Sequence, residues 1–293
     1  MGSYGSDGLA VSTPDLTIRA VLPVADVSWL VADGHVLYAT NEHDGGSVTV
    51  LEDLVVRRVL PTLGDEPTHL SLSGRFVLVA NHGSASVAVL PTSGGPGSTV
   101  DLPAGARPHQ VLADPSGAWV LVVALGLDLV LVYRLAGGTL VAHGRVSVGP
   151  GPRHLVWHPD GQRCYVVCEN APVVVGGSWD ARRGELTVGR SVRIADDGCP
   201  GEGVVPADGR FLYVTNRGDN TVVTLDAGLD VVDTVASGGD WPRHAALAAD
   251  ERWLYVANQR SGELSRLPRD PVTGGLSAAD GGVAVDGVAV VLP

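Results

Sequence analysis

The chain has no lysine; all 20 of its basic residues are arginine. It has one methionine and two phenylalanines, and aromatic residues make up only 5% of it. With Val-rich runs of four to eight residues in their place, the stock for long helices is thin. No apolar stretch approaches the roughly 18 residues needed to span a bilayer. The opening MGSYGSDGLA has no basic segment followed by an apolar core, so neither export nor membrane insertion is predicted. Three cysteines, Cys164, Cys168 and Cys199, are too few and too odd in number for a disulfide framework, which points to a reducing cytoplasm. Sequence alone leaves a Cys168–Cys199 bridge open. The basic residues form no run and the net charge is −12, which excludes the electrostatic footprint of a nucleic-acid binder. The same charge repels anions weakly, because exposed fields fade over about 8 Å at physiological salt. No Gly-x-Ser-x-Gly elbow and no Cys-x-x-Cys ligand pair occurs, so neither a serine nucleophile nor a metal site is expected.

What is present is turn chemistry and repetition. Gly 39 and Pro 19 are spread along the whole length, as an all-β, turn-rich fold requires. The segments HVLYATN, RFVLVAN, RFLYVTN and RWLYVAN end at Asn41, Asn81, Asn216 and Asn258. Two weaker copies, AWVLVVA and RCYVVC, end at Ala124 and Cys168. Successive steps are 40, 43, 44, 48 and 42 residues, a period that marks propellers. The remaining 76 residues, shared between the two termini, fit two further steps, so the count closes at seven. Each repeat reads as four short strands with Asp-Gly and Asn-containing turns. Second strands such as FLYVT are apolar on both faces, as a sheet sandwiched between two neighbours must be. A single domain over 1–293 is expected: a seven-bladed β-propeller of four-stranded antiparallel blades. Its ring would close by pairing Gly287 to Leu292 with N-terminal segments at Gly8 to Ser12 and Leu16 to Val21.

That topology sorts the polar residues. Starts of first strands and turns between second and third strands share one end of a four-strand meander. Pro108-His109, Pro152-Arg153-His154, Gly201-Glu202 and Pro242-Arg243-His244 therefore meet Asn41-Glu42-His43, Asn81-His82, Cys168-Glu169 and Asn216-Arg217 on one channel rim. The turns Pro159-Asp160-Gly161 and Asp208-Gly209 fall on the opposite face. Convergent His, Arg and Glu side chains in a concave site are the usual mark of a ligand pocket. A repeated Asn at one turn position is better explained by turn formation, and a strand-start His can equally bond the next blade's backbone.

At these residues the chain resembles the seven-bladed lactonase family, which includes bacterial 6-phosphogluconolactonases and, among fungi, carboxy-muconate cyclases. The likeness runs over roughly residues 60 to 292. It is carried by PHQVLADPSGAWVLV (108–122), GPRHLVWHPDGQRCYVV (151–167), DGRFLYVTNRGDNTVVTLD (208–226), PRHAALAADERWLYVANQRSGEL (242–264) and RDPVTGGL (269–276). Where the family has Asp-Leu-Gly-x-Asp-Arg, this chain has Ala124-Leu125-Gly126-Leu127-Asp128-Leu129, and Val204 stands where a His is usual. The resemblance implies hydrolysis of an anionic lactone without a cofactor. His109, His154 and Glu202 are the candidate catalytic residues. Arg153, Arg217, Arg243, His244, Glu169 and Asn216 are the candidate substrate contacts. His109 or His154 would be the general base, Glu202 would orient it or protonate the leaving oxygen, and the arginine forks would hold the anion and the oxyanion. The alternatives are a cyclase or lyase on an anionic small molecule and a non-catalytic binding propeller. The partner is expected to be a small molecule, with no nucleic acid and no membrane, the protein acting as a monomer or weak homodimer.

Overall fold

The computed structural model describes residues 1–4 and 8–293. Its strands form seven four-stranded antiparallel sheets arranged as blades around a central channel. The innermost strands of blades one to six are Val27–Asp33, Pro67–Ser73, Pro108–Ala113, Pro152–Trp157, Cys199–Val204 and Pro242–Leu247. Blade seven closes the ring. Its innermost strand, Val288–Val290, pairs with Gly2–Ser3, and Leu9–Ser12 and Ile18–Leu22 follow outward. The closing C-terminal strand is thus shorter than expected, and the second strand of the blade comes from Gly2–Ser3, a pair too short to leave a periodic signal.

Burial follows position within the blade. Second strands are enclosed on both faces, as in Trp119–Ala124, where every residue is buried. The outermost strands, such as Val55–Pro61, are largely exposed. Among the described residues the apolar core divides into seven clusters, each bridging two adjacent blades. Side chains from neighbouring sheets, for example Trp119 and Leu121 with Leu155 and Val166, exclude water from each contact. Burial of that area is the main favourable term holding the ring together. Cys164 and Cys168 sit in this packing at 0% exposure, and all three cysteines are free thiols. Among the described residues no helix is long and apolar enough to cross a membrane.

One local device is repeated and sets the site. The chain enters four innermost strands through a left-handed residue, Glu66, Arg107, Gly151 or Trp241, directly before a proline. Left-handed backbone is unusual for the three of these that are not glycine. A bulge follows, as the register jumps from Pro67 to His69, Pro108 to Gln110, Pro152 to His154 and Pro242 to His244. In blades one and five the jump spans two residues, from Val27 to Leu30 and from Pro200 to Gly203. A bulge re-aims the side chains it displaces, and here it turns them toward the channel.

Candidate active site

The bulges lay down two tiers. The outer tier, at the position after Pro67, Pro108, Pro152 and Pro242, holds Thr68, His109, Arg153 and Arg243. The deeper tier holds Trp29, His69, Gln110, His154, Glu202 and His244. Some members stitch blades together. Thr68 Oγ1 donates to His109 O at 3.1 Å, and Gln110 Oε1 accepts from the Leu155 amide at 2.7 Å. The rest converge.

In the deeper tier Glu202 is 6% exposed and His154 1%. Glu202 Oε2 lies 2.6 Å from His154 Nδ1 and 3.6 Å from His244 Nε2. Trp29 packs against the group, its ring centroid 4.2 Å from His69, 5.1 Å from His154 and 5.0 Å from His244. Burial pushes the Glu202 carboxyl from 4.5 up to about 7, against the pull of His244 and Arg153. Burial also drives His69, His109 and His154 well below the usual 6.5, and His244 to about 4. These imidazoles are neutral at pH 7. Glu202 Oε2 and both His154 ring nitrogens are buried without an aligned hydrogen bond among the described residues. Buried polar atoms are normally satisfied, and these are the atoms of the cluster with hydrogen-bonding capacity to offer a molecule in the channel.

Above it the arginines are tied down. Arg153 donates from Nη1 to Glu169 Oε2 at 2.7 Å and to His109 Nε2 at 2.5 Å, and from Nε to Gly201 O at 2.9 Å. Arg217 reaches the same Glu169 oxygen at 3.0 Å and donates to Cys199 O and Pro200 O. Burial opposes ionisation of Glu169, but the two guanidiniums prevail and hold it at about 2. Burial and the neighbouring Arg217 lower Arg153 to about 10, which still leaves it charged at neutral pH. Arg243 donates to Tyr4 Oη at 2.6 Å, and Tyr4 Oη donates onward to Glu42 Oε2 at 2.6 Å.

The structure therefore brings His109, His154, Glu202, Arg153, Arg217, Arg243, His244 and Glu169 around one channel. It gives three of the expected residues other work. His109 spends its Nε2 lone pair on Arg153, so it positions that guanidinium and is not free to take a proton. Asn216 is 0% exposed and its amide donates to Asp197 O and Asp219 Oδ2. That bond back to the segment preceding the blade is matched by Asn41 to Ala25 O, Asn81 to Thr62 O and Asn258 to Ser237 O. Arg217 is held by backbone carbonyls and Glu169, so its charge does not stand free for an anion. Sequence reasoning placed Glu42 on the rim without giving it a role, and missed Tyr4, Trp29 and His69. Only His69 carried a signal, since Pro67-Thr68-His69 has the spacing of Pro152-Arg153-His154.

Comparisons with known proteins agree with this architecture. The family described as "Lactonase, 7-bladed beta-propeller" matches residues 12–293. The 6-phosphogluconolactonase of Bacillus subtilis is 29% identical over 255 residues, covering 76% of this chain and 71% of that protein. The periplasmic gluconolactonase of Pseudomonas aeruginosa superposes with a TM-score of 0.90 at 29% identity, over 99% of this chain and 96% of the other. A Lactobacillus plantarum protein, at 24% identity and a TM-score of 0.87 over 98% and 96%, shares the fold. With its seven blades and a family match running from Ser12 to the last residue, this chain belongs to the seven-bladed β-propeller lactonases.

Proposed function

We propose that the channel opens the ring of a lactone by general-base attack of water, with Glu202 as the group that moves the proton. The observation that carries this reading is the enclosed Glu202 carboxyl, poised near neutrality 2.6 Å from a neutral His154. A base is most effective when its pKa lies near the working pH, and the histidines fall short because burial keeps theirs low.

Water held by Glu202 and His154 attacks the lactone carbonyl carbon, and its proton passes to the Glu202 carboxylate. The oxyanion develops against Arg153 and Arg243, whose positions are fixed beforehand by Glu169, His109 and Tyr4. Donors that need no rearrangement as charge appears give the largest electrostatic benefit. The bond from the acyl carbon to the ring oxygen then breaks, and that oxygen takes the proton back from Glu202. The product is a hydroxy acid, which releases one proton on ionising at neutral pH.

Proton release on incubation with a sugar lactone, corrected for spontaneous hydrolysis, tests the reading. Glu202→Gln is expected to lower kcat by roughly 10² to 10⁴. Wild-type kcat/KM should rise with pH through about 7 as the carboxyl ionises. A Glu202→Gln protein with wild-type kcat would remove Glu202 from this role.

A further inference from the structure

Taking the channel as a lactonase site, we infer that it selects an uncharged polyhydroxy lactone and disfavours a phosphorylated one. Sequence alone pointed to three arginines awaiting an anion; the geometry pairs most of their charge with carboxylates. Arg153 and Arg217 share Glu169, and Arg243 faces Glu42 at 3.7 Å through Tyr4. Those pairings leave at most one uncompensated positive charge, and Glu202, which ionises near neutrality in the tier below, offsets part of that.

A phosphate monoester carries about −1.5 to −2 at pH 7, and sites that recognise one present free arginine forks. Neither guanidinium paired with Glu169 stands open as such a fork, and Arg243 is held through Nη2 by Tyr4. Arg217 is turned onto Cys199 O and Pro200 O, and Arg153 onto Gly201 O. The loops around the mouth add to the effect. Asp65, Glu66, Asp196, Asp197, Asp219 and Asp240 are exposed there, against the exposed Arg107, Arg193 and Arg260. An approaching dianion meets net negative potential before it reaches the channel.

The same carboxylates suit hydroxyl groups. An ionised carboxylate only accepts hydrogen bonds, and Glu169, with its side chain 24% exposed, presents such an acceptor at the channel. A ring bearing several hydroxyls supplies the donors and brings no charge to be neutralised.

The test compares kcat/KM for glucono-1,5-lactone and its 6-phosphate by proton release, with the same protein at low salt and at 0.5 M salt. We expect at least a tenfold preference for the uncharged lactone, narrowing as salt screens the mouth. Equal rates, or a preference for the phosphorylated substrate, overturn this inference and leave the lactonase reading standing. Hydrolysis of neither lactone removes both. Glu169→Gln, its folding checked by circular dichroism and Tm, should shift the ratio toward the phosphorylated lactone by about tenfold as two arginines lose their counter-charge. An unchanged ratio in the folded variant overturns the role assigned to Glu169.

Discussion

At Glu202 the enclosure that suits the carboxyl to proton transfer also makes its charged form expensive to keep. A carboxyl raised from 4.5 to about 7 on folding favours the folded state while it is protonated. That contribution is complete below about pH 4.5 and disappears as pH rises through 7. At pH 8 the native protein therefore holds a buried carboxylate that the unfolded chain would hydrate, a cost of up to about 3 kcal/mol. Glu202→Gln removes it. The variant should melt several degrees above wild type at pH 8, and the two melting curves should converge near pH 5. Glu202 raises His244 and its loss lowers that group further, but the buried histidines stay neutral in both folded proteins between pH 5 and 8 and contribute little to the difference. Equal Tm at pH 8 would show that Glu202 titrates as an ordinary surface acid does. A residue retained at the expense of stability is the usual signature of function.

Within the blade, the repeated Asn and the repeated proline bulge divide the labour. Asn41, Asn81, Asn216 and Asn258 each close the end of a second strand onto the segment that precedes their blade. Replacing one by Ala leaves a carbonyl without its donor, fully buried at Thr62 and Ser237 and part-buried at Ala25 and Asp197, a loss of about 1–3 kcal/mol. Asn81→Ala and Asn216→Ala should both lower the urea midpoint by comparable amounts and leave KM for a lactone unchanged. A selective rise in KM for Asn216→Ala would return that residue to the site. This periodicity is why the fold was legible: a strand apolar on both faces and ending in Asn is a local signal, and it recurs. Arg153, His154, Glu202, Arg243 and His244 were legible for the same reason, since they occupy strand starts that topology sends to the channel. Which arginine meets which carboxylate was not legible. Glu169 shares blade four with Arg153, 16 residues away, but Arg217 is 48 residues away in blade five, and a pairing across blades depends on side-chain reach that no spacing encodes. Trp29 escaped because Val27-Ser28-Trp29 lacks the proline that marks the innermost strands of blades two to six.

Closure of the ring and completion of the site are one event. Val288–Val290 brings Gly2–Ser3 into blade seven, and the next residue, Tyr4, links Arg243 of blade six to Glu42 of blade one. A long-range strand pairing thus carries a channel residue into place, and the two functions can be separated by choice of substitution. Val290 is 1% exposed and packs with Leu9, Ala39 and Leu51 between blades seven and one. Val290→Asp puts an unpaired charge into that contact at a cost of several kcal/mol, so the ring should lose cooperative unfolding, Tm and activity together. Tyr4→Phe keeps the ring atoms and the strand register and removes only the hydroxyl that joins Arg243 to Glu42. Its Tm should fall by no more than a few degrees while KM rises severalfold, because Arg243 is released from its position. A Tyr4→Phe protein with unchanged KM and kcat would mean that Arg243 holds its place without the N-terminus, and the coupling between closure and site would fail. The opposite pattern, strong unfolding in Tyr4→Phe with little effect of Val290→Asp, would place the weight of closure on the hydroxyl bridge and not on the apolar seam between blades.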